Sequence, residues 1–227
     1  IDILATPLVT IFAGVGLSML IAAPIGAAAS QVGTLIMWAT EQAPLVMGIL
    51  VSVIVGVALT LPISSAAICA ALGLTGLAGG AAVAGCCAQM VGFAVMSYKE
   101  NGVGGLVSQG LGTSMLQMGN IIKNPRIWIA PTLASAITGP LATCLFHFEM
   151  NGAAVSSGMG TCGLVGQIGV YTGWVNDIAA GTKAAITPMD WAAMLLICFV
   201  LPAVLSVVFC EIERKLGWIK EGDLKLN

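Results

Sequence analysis

Charge is almost absent from the interior of this sequence. Stretches 3–40, 42–98, 101–122, 127–148, 150–176 and 191–210 contain no Asp, Glu, Lys or Arg, and a helix needs only about 20 such residues to cross the hydrocarbon core of a bilayer. Charged residues make up 8% of the chain and mean hydropathy is +1.02, against roughly 25% charged in a soluble domain. The reading is a multi-span integral membrane protein. Aromatic residues are few and the apolar pattern does not alternate as in a strand, so helices are expected rather than a barrel. With a net charge of −2 and no long basic run, nucleic acid is not an expected partner.

Glycine and proline divide the stretches. A break is expected near Pro24 within 3–40, because proline removes a helix hydrogen bond. Pro44 to Leu61 reads as a span closed by Pro62, and 63–98 is expected to divide at Gly79 and Gly80 into two small-residue helices suited to close packing. Ile127 to Phe146 and 191–210 read as further spans. The seven cysteines show no CxxC and no zinc-site spacing, so they read as small buried hydrophobes and no metal or cofactor is expected. Asp2 stands where a signal peptide would carry positive charge, and no signal peptide is expected.

Two segments make poor lipid-facing helices, since 102–119 and 152–169 each contain six glycines among Ser, Thr and Gln. They also resemble each other: Gly110 to Leu116 and Gly158 to Leu164 match at four of seven positions. The reading is a pair of re-entrant hairpins entering from opposite faces. The positive-inside rule is consistent with this, because Arg214, Lys215, Lys220 and Lys225 put the C-terminus in the cytoplasm. Lys123 and Arg126 then share that side only if both glycine segments dip and return. The fold class expected is therefore an all-α membrane protein, a polytopic helical bundle over 1–210 with two opposed hairpins. The tail 211–227 reads as a cytoplasmic amphipathic segment: Ile212, Leu216 and Ile219 fall at helical spacing, with Glu211 four residues before Lys215.

Glu149 is the most informative residue, a single carboxylate between two long apolar stretches beside the only histidine, His147. A buried charge there needs a partner or a polar cavity. The two residues are two apart, so a regular helix would not align them, but an unwound backbone could. Asn124, before Pro125, is a second candidate, since an amide both donates and accepts. Gln117, Thr113, Thr161 and Gln167 in the glycine segments, and Asn151 after Glu149, are neutral hydrogen-bonders suited to a hydroxylated solute. Glu149 is expected in a polar cavity between the two hairpins, with His147 and Asn124 within one solute length. No Walker A, HExxH or GxSxG motif is present, so no autonomous catalytic domain and no catalytic residue is expected.

Lys-Asn-Pro-Arg-Ile-Trp-Ile-Ala-Pro (123–131), Phe-His-Phe-Glu-Met-Asn-Gly (146–152) and the string Gly158 to Gly169 resemble the membrane EIIC components of the bacterial sugar phosphotransferase system, and more closely the EIIC-like branch that includes the toxin regulator PfoR. The resemblance implies a permease in the bacterial plasma membrane that moves a sugar-like solute by alternating access, with separate EIIB and EIIA proteins and a homodimeric state. By position and type Glu149 resembles the sugar-binding Glu of that family and His147 stands for its His, although the glycine-isoleucine-threonine-glutamate string is absent. Family members are usually longer at the N-terminus. The alternative it implies is a PfoR-like membrane sensor that keeps the fold without transport.

Overall fold

The computed structural model describes residues 2–226, with side chains described at 9–12, 14–16 and 24–226. Its helices are α1 (Asp2–Gln42), α2 (Pro44–Thr60), α3 (Ser65–Leu72), α4 (Gly76–Met96), α5 (Tyr98–Val107), α6 (Met118–Lys123), α7 (Ile129–Pro140), α8 (Val165–Ala179), α9 (Pro188–Leu195) and α10 (Leu201–Lys215), with π and 3₁₀ turns between them. Among the described residues no strand forms, and one isolated bridge pairs Gly76 with Met150. Three continuous helical segments, Gly76–Met96, Pro125–Leu145 and Pro188–Lys215, are long and apolar enough to cross a membrane, and Pro44–Thr60 is a shorter apolar helix.

The helix α4 is the axis of the bundle. Its residues are small, which lets α2, α7 and α10 pack against its backbone. A Cβ at Gly85 would overlap the carbonyl of Ser52 on α2, and one at Gly139 on α7 would overlap Ser52 and Gly48. Within 63–98 the small residues of α4 are thus used inside the chain, while Ala67, Ala70 and Ala71 of α3 stay exposed. Gln89, fully buried on α4, supplies the polar tie: its Oε1 accepts from the Trp128 indole (3.0 Å) and from Thr60 (3.2 Å), and its amide nitrogen donates to Thr132 (3.3 Å).

Three sequence expectations change. No break occurs at Pro24, where α1 continues without interruption; proline deletes one backbone donor and kinks a helix, and apolar helix formers on both sides carry the turn across it. The division in 63–98 falls at Gly73 to Thr75 instead of Gly79-Gly80. Gly73 takes a left-handed conformation (φ 64°) that ends α3, whereas Gly80 is needed for contact, since its Cβ would overlap the carbonyl of Phe148. The tail helix stops at Lys215: Gly217 has φ 71° and the Trp218 N–H closes on the Glu213 carbonyl, a Schellman-type end. Residues 216–226 then turn back, and Glu211 pairs with Lys99 (2.8 Å) in place of Lys215.

The segment 102–119 begins at Gly102 (φ 58°), runs through α5 and a π turn to Thr113, whose extended backbone reverses it, and returns through a 3₁₀ turn into α6. Asn101 before it and Asn120 near its end both hydrogen-bond backbone atoms of residues 224–226. The segment 152–169 descends through 3₁₀ turns, reverses at Gly163 and Leu164 (φ 53° and 58°) and leaves as α8.

Candidate functional site: a carboxylate cavity

Between the π turn Leu141–Leu145 and Gly152 the chain is unwound. His147 has φ 44°, Phe148 N–H reaches the Ala142 carbonyl (2.8 Å), and Met150 exchanges both backbone hydrogen bonds with Gly76. An extended backbone sends alternate side chains to opposite sides. Phe148 and Met150 accordingly enter the core, while His147, Glu149 and Asn151 border a cavity of about 460 Å³. The two-residue spacing that would separate His147 from Glu149 on a helix here aligns them.

Phe146 and Phe148 add apolar surface from the same stretch, and the facing wall comes from α8, the loop after it and α9: Trp174, Asp177, Thr182, Lys183, Asp190 and Ala193. The amide nitrogen of Asn151 donates to Glu149 Oε2 (3.0 Å) and to Asp177 Oδ2 (2.9 Å), spacing two carboxylates with one neutral group. Lys183 bonds Asp190 (2.8 Å) and lies over the Trp174 ring at 5.9 Å. Asp190 also caps α9 through a reciprocal pair with Thr187. Trp174 meets Trp191 edge to face at 5.5 Å. Three carboxylates, one lysine, an amide and an indole thus share one opening, a set that can accept and donate to hydroxyls against a flat apolar surface.

Of the residues singled out in the sequence, Glu149, His147 and Asn151 come together here. Gln167 and Thr161 lie deeper against α4: Gln167 donates to Cys87 Sγ (3.3 Å) and Thr161 to the Gly110 carbonyl (2.5 Å). Thr113 accepts from the Met115 N–H. Gln117 donates to Gln109 and to the Leu224 carbonyl, and Asn124 to the Trp218 carbonyl and Asp223. Asn124 therefore belongs to the tail end of the bundle, and its expected place near Glu149 is corrected. No residue of 102–119 lines the cavity, so Glu149 does not sit between the two glycine segments; it is exposed at the mouth. Asp177, Lys183, Asp190 and Trp174 were not anticipated. The signal was present in Lys183, which stands apart from every other Lys and Arg.

A helical, multi-span membrane bundle with a polar cavity beside a break in its helices defines the class as a membrane transport component. The sequence profile of the family "Phosphotransferase system, EIIC" matches residues 1–226, and the chain belongs to that family. It is a permease component of the phosphotransferase system, located in a membrane. The match is to the family as a whole and does not single out the branch with the toxin regulator. Neither a curated protein nor a solved structure matches the chain.

Proposed function

We propose that the chain is the permease of a phosphotransferase system for an uncharged sugar, and that the Glu149 cavity is where the sugar first binds. The observation that carries this reading is the convergence of His147, Glu149 and Asn151 with Asp177 beside the Trp174 ring. Carboxylates flanking an amide suit hydroxyl groups, and an excess of negative charge from Glu149, Asp177 and Asp190 over Lys183 repels a phosphorylated sugar. The cavity thus favours substrate over phosphorylated product.

Orientation and mechanism follow in the same reading. Lys99, Lys123, Arg126, Arg214, Lys215, Lys220 and Lys225 gather at the tail end, which makes that end cytoplasmic and the cavity outward-facing. The glycine segments are re-entrant hairpins, supported by the shared 224–226 contacts of Asn101 and Asn120, and alternating access moves them past α4. Separate EIIB and EIIA proteins supply phosphate on the tail side. A homodimer in the bacterial plasma membrane belongs to this proposal through the family; light scattering of detergent-solubilised protein tests it, a monomer at micromolar concentration counting against it.

The deciding experiment titrates a panel of unphosphorylated sugars into the purified protein and follows Trp174 and Trp191 fluorescence. One sugar should bind, its phosphorylated form should not, and Glu149→Gln should weaken binding ~10-fold, about 1.4 kcal/mol for one charge-assisted hydrogen bond. Unchanged binding by the Gln variant would overturn the site.

A further inference from the structure

The tail beyond α10 is held in an unusual way. Its main chain is gripped by side chains from both limbs of the 98–124 segment. From the first limb, Glu100 accepts from the Leu224 N–H (2.9 Å), and Asn101 both donates to the Leu224 carbonyl (2.8 Å) and accepts from the Leu226 N–H (2.8 Å). From the second limb, Gln117 donates to the Leu224 carbonyl (3.0 Å), Asn120 to the Lys225 carbonyl (3.0 Å) and Asn124 to the Trp218 carbonyl (2.9 Å). The limbs are linked beneath by a buried amide chain in which Asn120 donates to Gln117, Gln117 to Gln109 and Gln109 to Ser97.

Two apolar side chains anchor the segment. Leu224 is fully buried and Ile219 nearly so, in a cluster with Phe93, Met96, Ile121, Ile127 and Cys210. Glu100, while gripping Leu224, also pairs with Arg214 at the end of α10 (2.9 Å), so the start of the tail and its last turn are fixed to the same side chain. Recognition of main chain by amides with one inserted leucine resembles the way an extended peptide is bound.

We propose that residues 218–226 are a releasable strap that fastens the two limbs of 98–124 together at the tail-side mouth, so that these limbs move only when Leu224 leaves its seat. Each of the six bonds to the tail main chain crosses from the tail to one limb or the other, and any motion that parts the limbs or tilts them away from α10 breaks several at once. The contacts are hydrogen bonds, nearly all to backbone, and two apolar insertions, Leu224 and Ile219, so release costs their loss to water. The strap rests on the reading of 98–124 as a mobile hairpin.

The test is hydrogen–deuterium exchange of the full-length protein in lipid nanodiscs, with peptides read by mass spectrometry. Leu224→Asp places a charge in the seat and should release the strap: exchange across 98–124 should accelerate at least tenfold, while 129–140 and 165–179 keep the wild-type rate. Should Leu224→Asp loosen the whole bundle, the milder Asn101→Ala/Asn120→Ala pair decides, with acceleration again confined to 98–124. Unchanged exchange in 98–124, or equal acceleration throughout in the milder pair, overturns the strap. Sugar binding at Glu149 is read separately by fluorescence, so the strap and the transport reading fail independently.

Discussion

The hydroxyl of Thr161 donates to the carbonyl of Gly110 over 2.5 Å. These residues come from the two glycine-rich segments that match at four of seven positions, so the similar strings meet two to three residues before their reversals at Thr113 and Gly163. Next to this contact, Ser114 shares a hydrogen bond with Thr60 (2.8 Å), which in turn reaches Gln89. The reversal of 102–119 is thereby tied to α2, to α4 and to the other glycine segment.

Thr161→Val keeps the shape and removes the donor. Stability should fall by about 1–2 kcal/mol, since a carbonyl loses its partner away from water, and Thr161→Ser should lose less than half of that. Thermal unfolding in one detergent compares the three proteins; a Val variant as stable as wild type would mean the contact carries no energy.

Glycines of opposite kinds should respond oppositely. Gly85→Ala drives a methyl group into the Ser52 carbonyl and should cost roughly 3 kcal/mol by prising α2 from α4. At Gly104, which has nothing within 4 Å, alanine should be neutral or stabilising by up to about 1 kcal/mol through helix propensity. Yields and melting temperatures of the two variants should diverge, and equal behaviour would contradict the packing described.

Gln89→Leu should destabilise by about 2 kcal/mol because it strands the Trp128 indole N–H, while Thr60 keeps its hydrogen bond to Ser114. Adding Trp128→Phe removes one stranded donor, so the double variant should be less damaged than the sum of the single variants. Strict additivity in a double-mutant cycle would show that the two side chains are uncoupled.

Glu213 is 4% exposed and neither carboxylate oxygen has a hydrogen-bonding partner among the described residues. Glu213→Met replaces an unpaired buried acid with an apolar side chain of similar length and should raise stability by on the order of 1 kcal/mol. A lower melting temperature would point to a partner supplied by another molecule.

Much of this architecture was legible in the sequence because charge and proline act locally. The apolar helix after Pro44 and the membrane-length segment that ends at Leu145 follow from them directly. Gly79 and Gly80 misled because a glycine that permits contact looks like one that breaks a helix; only the position of Phe148 distinguishes the two. Asn124 misled for a related reason, since an amide before proline reads the same whether it meets a solute or the backbone of Trp218. Asp177 and Asp190 lie in the last and first turns of helices and Lys183 in the loop between them, places where charge is ordinary, and their convergence with Glu149 depends on how α8 and α9 pack.

Besides the buried side chains of Phe148 and Met150, main chain fixes the loop carrying Glu149 against α4, through the Met150 pairing with Gly76 and the seat of the Phe148 carbonyl over Gly80. The cavity is in effect machined to a backbone datum. A shift of α4 along its axis would carry Gly76 and Gly80 with it, and so the two main-chain seats that flank Glu149.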